Sequence, residues 1–174
     1  MAGRDSHGRP KGLPERPREE NGRACAISLS IMRGTWYDIL MEDVACKEKE
    51  VILIVDDQEV IGEMIGALVE DHGCAHVSFS DPLGALSYYE ANPTQITVMI
   101  VDLTMPSVSG ADLVRTVIEM NPALPIVLVI NYAGEYVPED VSHSVCRVIE
   151  KPFTKLELMD ALGTALRKAR SKSS

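Results

Sequence analysis

The chain has 174 residues, 45% of them hydrophobic, which is enough for one domain with a proper core plus an appendage. Its formal charge of −9 is uneven: residues 1–50 carry nine basic and nine acidic side chains, so the remainder holds 17 − 9 = 8 basic against 26 − 9 = 17 acidic. An acidic globular part argues against sequence-independent binding to nucleic acid or an anionic membrane, both of which need a basic face.

Residues 1–46 read as an N-terminal extension, mostly disordered, because Arg, Gly, Pro and Glu dominate its first half and offer little apolar surface to offset the entropy of ordering. Within it, Trp36, Tyr37, Leu40, Met41 and Val44 follow helical spacing, so a short helix is expected at 35–45, either a linker or a docking or dimer segment. The apolar stretch from Ala24 to Met32 is far shorter than the roughly 20 residues needed to span a bilayer. Glu15, Glu19 and Glu20 before it argue against a signal peptide. Cys25, Cys46, Cys74 and Cys146 show no CxxC spacing, so they read as reduced thiols of a cytoplasmic protein, with neither a zinc site nor a disulfide framework expected.

After Glu50 a regular alternation begins. Val51 to Val55 is a continuous apolar run, the mark of a strand buried on both faces, and it ends in Asp56 and Asp57. Ile61, Met64, Ile65, Leu68 and Val69 form a helical stripe closed by Gly73, and Ala75 to Phe79 is a second strand. Asp81 before Pro82 is an N-cap with proline at the first helical position, opening a helix to about Ala91. Val98 to Val101 is a third strand, ending in Asp102. Gly110 to Met120 is helical and Ile126 to Ile130 is a fourth strand. Between Asn131 and Ser144 only a short helix beginning at Pro138 is expected. Val145 to Ile149 is a fifth strand, and Leu156, Leu158, Met159, Leu162, Ala165 and Leu166 place a last amphipathic helix. A domain at 47–170 and a tail at 171–174 complete the organisation.

Five strands alternating with helices imply an α/β fold with a doubly wound, five-stranded parallel sheet. In the flavodoxin-like order 2-1-3-4-5 the first and third strands are neighbours, and functional groups gather at their carboxyl ends. Asp56, Asp57 and Asp102 would then converge. A desolvated carboxylate costs several kcal/mol unless a cation compensates it, so three together call for a metal. Lys151 follows the fifth strand at the same edge. Taken alone, Asp56 is as readily an ordinary helix cap or solvated turn residue, and Lys151 is more often a surface lysine, its place before Pro152 and Phe153 favouring function; Glu59 and Asp112 read as helix N-terminal acids favoured by the dipole. His72, His76 and His143 have no motif partners and are expected on the surface or in packing roles.

Asp56 and Asp57 after the first strand, Asp102 with Met105, Pro106 and Gly110 after the third, and Lys151, Pro152 and Phe153 after the fifth resemble the receiver domain of two-component response regulators, over about Glu50 to Arg170. The resemblance implies that Asp102 accepts a phosphoryl group from a histidine kinase or phosphotransfer protein, forming an acyl phosphate. It implies a Mg²⁺ site built from Asp57, Asp102 and the backbone carbonyl of Thr104, with Asp56 acting through water. Lys151 would pair with Asp102 at rest and with the phosphoryl oxygens afterwards, and Pro152 matches the family's cis-proline. Such a domain is no enzyme beyond catalysing its own phosphoryl transfer and dephosphorylation. A downstream protein target is expected, with no direct nucleic-acid or membrane partner, and a homodimer is an open alternative.

Two positions depart from the family pattern. Ile130 stands where a Thr or Ser hydroxyl normally meets the phosphoryl group, and Val148 stands at the aromatic switch position. Losing a hydrogen bond to a charged group forfeits about 1.5–3 kcal/mol, enough to alter a switch whose states differ by only a few kcal/mol. A receiver with altered switching is therefore the first expectation. A docking or phosphate-sink module with little conformational output is the second, and a flavin binder on the same topology is a remote third, opposed by the acidic strand ends. The sequence shows no output domain, which leaves a stand-alone receiver or a piece of a longer protein.

Overall fold

The computed structural model describes Cys46 and residues 50–171. The helix expected at 35–45, the remainder of the 1–46 extension and the tail from 172 lie outside the described residues. Five parallel strands, β1 (Val51–Val55), β2 (Ala75–Phe79), β3 (Ile96–Asp102), β4 (Ile126–Ile130) and β5 (Arg147–Glu150), form one sheet in the order β2-β1-β3-β4-β5. The helices α1 (Glu59–Glu70), α2 (Pro82–Ala91), α3 (Gly110–Met120), α4 (Glu139–Ser144) and α5 (Lys155–Ser171) alternate with them. This is the flavodoxin-like doubly wound arrangement that the alternation of elements implies.

The continuous apolar runs have a physical reason. Side chains of a strand alternate between faces, and here both faces are covered. Leu53, Val55, Met99, Val101, Ile126 and Leu128 point to the layer shared with Tyr89 of α2, Val114 of α3 and Val141 of α4. Their neighbours Ile52, Ile54, Val98, Ile100, Val127 and Val129 point the other way, against Ile65 and Val69 of α1 and Leu158, Leu162 and Leu166 of α5. Local signals set the helix ends as well. Asp81 accepts the Gly84 N–H at 2.9 Å, and Ser109 caps α3 through the Asp112 N–H at 3.2 Å. Arg115 pairs with Asp112 at 2.8 Å and Asp140 at 2.6 Å, tying α3 to α4.

Three boundaries differ from expectation. β3 begins earlier and includes Asp102, because pairing with β1 from Ile96 and with β4 through Asp102 and Val129 extends the ladder past the apolar run. β5 spans Arg147–Glu150, shifted toward the lysine, since its register follows β4 from Val127 to Ile130. The last helix starts at Lys155, one residue ahead of its first apolar position.

The reading of the cysteines as reduced thiols is corrected for one pair: Cys46 and Cys74 form a disulfide with Cα atoms 4.9 Å apart. Their sequence separation of 28 carries no motif. They meet because parallel pairing of Val51 with Ala75 aligns the chain entering β1 with the chain entering β2. Cys146 is free and half-buried. No helix of the described residues is long and apolar enough to cross a membrane.

Candidate functional site

The strand register assembles the site. Val55 pairs with Val101 in the β1–β3 ladder, so the following residues, Asp56 and Asp102, emerge side by side at the carboxyl edge of the sheet. Asp56 is held by its N–H to Phe79 O at 3.1 Å, and Leu103 N–H bonds to Val129 O at 2.8 Å, which fixes the turn out of β3. Ligand atoms of Asp56, Asp57 and Asp102 all lie within 4.8 Å of one another. Asp56 and Asp102 are 2% and 1% exposed, the only buried charged residues among those described.

Lys151 reaches this cluster from the end of β5. Its N–H bonds to Ile130 O at 2.7 Å and the Lys151–Pro152 peptide is cis. The ammonium donates to Asp102 Oδ2 at 2.6 Å, the pairing the resemblance implies, and stands 2.8 Å from Asp56 Oδ2, a specific contact expected neither from the residues nor from the resemblance. Burial pushes the Asp56 carboxyl above its ordinary range, with Lys151 pulling it back. Burial acts against the Lys151 ammonium, yet its bonds to Asp102 and Asp56 hold it above the usual lysine value.

The remaining bonds are sparse. Asp102 Oδ1 accepts the Thr104 N–H at 3.1 Å and Asp56 Oδ1 accepts the Gln58 N–H at 3.0 Å. Asp57 Oδ1 is buried with no hydrogen-bond partner among the described residues. Three ionised carboxylates and one ammonium sum to −3 + 1 = −2, so a divalent cation would balance the cluster. An orphaned carboxylate oxygen within an all-oxygen donor set fits a hard cation such as Mg²⁺.

Thr104 is exposed in the β3–α3 loop, next to the cluster through its N–H. Gly110 returns that loop against the strand end: its N–H bonds to Leu103 O at 2.9 Å, and a Cβ there would lie 1.9 Å from the Asp102 carbonyl oxygen. Ile130 ends β4 at 9% exposure within the apolar layer. Val148 lies two residues before Glu150 on β5, 41% exposed, and is not among the cluster's contacts. His72 bonds Leu68 O at 3.0 Å and His76 packs beside Gly66, so neither joins the site.

Sequence reasoning missed Glu135. Its carboxylate accepts the Thr104 hydroxyl and, at 2.6 Å, the Asn131 N–H. A single acid in a Gly-containing loop looks like any solvated loop residue, and no pattern could have distinguished it.

Comparison with known proteins places these features in a family. Residues 52–163 match the model of the response regulator receiver domain. The response regulator protein TmoT of Ectopseudomonas mendocina is 29% identical over 125 residues, covering 70% of this chain and 55% of that protein. The autoinducer 1 sensor kinase/phosphatase LuxN of Vibrio harveyi is 27% identical over 117 residues, covering 67% of this chain and 14% of that protein. Among solved structures, a response regulator receiver domain protein from Clostridium thermocellum superposes with a TM-score of 0.65 at 25% identity, covering 71% of this chain and 98% of that one. The chain thus spans about half the length of TmoT and a smaller part of LuxN.

Proposed function

Because the chain belongs to the response regulator receiver domain family of two-component systems, we propose that Asp102 is its phosphoacceptor. The observation that carries this reading is the buried Asp102 carboxylate, flanked by Asp56 and Asp57 and bonded to Lys151 at 2.6 Å. In the reaction an Asp102 oxygen attacks phosphorus of a phosphohistidine on a histidine kinase or phosphotransfer protein. The P–N bond breaks, its electron pair passes to the imidazole nitrogen, which takes up a proton, and an acyl phosphate remains on Asp102. Hydrolysis of that bond returns the carboxylate. The domain catalyses nothing beyond these two steps on itself.

Asp57, Asp102 and the Thr104 carbonyl would hold Mg²⁺, with Asp56 contributing through water. When bound, the cation would neutralise charge between the carboxylates and the incoming phosphoryl oxygens. Lys151 holds Asp102 in place at rest and, as a compact point charge, can turn to a phosphoryl oxygen afterwards. Asp102 leads into a loop and not directly into a helix, and its oxygens accept the Thr104 N–H and the Lys151 ammonium.

Readout is altered in this reading. Ile130 has no proton to donate, and Val148 supplies no aromatic ring to follow one. A downstream protein target, without direct nucleic-acid contact, agrees with the acidic balance of the domain. The test is incubation with Mg²⁺ and acetyl phosphate, read by intact mass. A phosphoryl adduct is expected on the wild type and not on Asp102→Asn; no wild-type adduct at millimolar donor would overturn the reading.

A further inference from the structure

Ile130 leaves the end of β4 without a hydroxyl, but a hydroxyl stands across the cleft. Thr104, two residues past Asp102, donates its Oγ1 proton to Glu135 Oε1 in the β4–α4 loop, while its N–H donates to Asp102 Oδ1 at 3.1 Å. The other Glu135 oxygen accepts the Asn131 N–H at 2.6 Å. A turn makes this reach feasible: Glu135 N–H bonds Tyr132 O at 3.1 Å, and Gly134 takes φ +93°. The loop is also held toward β5, where Ala133 N–H meets Glu150 Oε1 at 2.6 Å. One carboxylate thus fastens the β4–α4 loop to the residue beside the phosphoacceptor.

We propose that Glu135 is a positioning residue that latches the β4–α4 loop to Thr104 at rest and is released when Asp102 is phosphorylated. The inference rests on the phosphoacceptor reading above and names the element that reports it. A hydroxyl carries a single proton, so Thr104 Oγ1 can donate either to Glu135 or to a phosphoryl oxygen. Phosphorylation converts a carboxylate of charge −1 into a group of charge about −2, bearing strong acceptor oxygens. The competing acceptor therefore arrives together with added like charge facing the Glu135 carboxylate. Both effects weaken the latch. Ile130 has no hydroxyl to draw the loop inward, so the side chain that ends β4 offers nothing to offset the release.

The test uses the full chain in Mg²⁺, with beryllofluoride as the phosphoryl mimic, bound fluoride followed by ¹⁹F NMR, and amide hydrogen exchange read over 131–137. In the wild type, exchange there should speed up by about tenfold or more on beryllofluoride binding, the size expected for losing a charge-assisted hydrogen bond. In Glu135→Ala the same amides should exchange at the fast rate before any addition and change little afterwards, while bound fluoride still appears. Bound fluoride with unchanged or slower exchange in the wild type overturns the latch alone. Resting exchange in Glu135→Ala equal to that of the wild type also overturns it. Absence of bound fluoride in the wild type overturns the phosphoacceptor reading and the latch with it.

Discussion

Lys151 Nζ donates to Asp102 Oδ2 across 2.6 Å, joining the ends of β5 and β3, two strands separated in the sheet by β4. The same ammonium lies 2.8 Å from Asp56, so one cation answers two buried acids. Lys151→Met should leave those acids uncompensated and destabilise the metal-free protein by about 3 kcal/mol at neutral pH, the range for breaking a buried pair by removing one partner. Mg²⁺ should recover part of the loss, since a ligand of the folded state stabilises by mass action. Urea unfolding in chelator and in Mg²⁺ measures both; equal stability of variant and wild type in chelator would contradict the account.

Asp56 gives a pH dependence of defined sign. Burial raises its carboxyl above the ordinary 3.8, against the pull of Lys151, so the folded state binds this proton more tightly than the unfolded chain does. Its contribution is present at low pH and is lost as pH rises from 3.8 through the raised value. Asp56→Asn removes the titration. In chelator the variant should gain stability relative to wild type as pH climbs through that window and hold the gain at pH 7, whereas near pH 3.8 the gain should vanish. A variant that loses ground with rising pH would show that Lys151 outweighs desolvation.

Gly110 is the contact by which the β3–α3 loop closes on the site. A Cβ there would come within 1.9 Å of the Asp102 carbonyl oxygen and 2.9 Å of Leu103 Cα, distances that only backbone movement can relieve. Gly110→Ala is expected to cost about 1–3 kcal/mol, the range for overpacking. Because the atoms in the way are the Asp102 carbonyl and Leu103 Cα, phosphorylation by acetyl phosphate should slow as well. Normal modification kinetics in this variant would show that the loop absorbs the methyl without moving the carboxylate.

The Cys46–Cys74 disulfide links the chain before β1 to the chain before β2 across a sequence separation of 28. Closing a loop of this length stabilises by about 3–4 kcal/mol on the chain-entropy estimate. Dithiothreitol should lower Tm, Cys46→Ser should lower it equally, and reductant should then have no further effect on the variant. Alkylation of the native, unreduced protein followed by peptide mapping gives the direct check: labelled Cys46 and Cys74 would rule out the bridge.

Much of the site was legible in the sequence because its signals are local. An apolar run that stops at Asp56 or Asp102 encodes a strand and its tip at once, and Asp81 before Pro82 encodes a helix start. Convergence of the three acids followed from strand order, which the alternation of elements restricts to few topologies. Lys151 could be placed at the correct edge by its position after the fifth strand, whereas its bond to Asp102 was implied by the resemblance to receiver domains and not by local signals. Its second contact, to Asp56, was implied by neither, since the side chain's path depends on the packing around β5.

The sequence by itself determined the alternating elements, the parallel sheet and the acids and lysine at its carboxyl edge, because periodicity, caps and strand ends are written in neighbouring residues. Only the tertiary structure decided that Cys46 meets Cys74, that Lys151 serves two carboxylates and that Glu135 holds both Thr104 and Asn131. Each of these is a side-chain contact set by register and loop path, and Glu135 reaches Thr104 across 31 positions of chain. A bond of that span depends on which strands lie side by side, and leaves no periodic trace along the sequence.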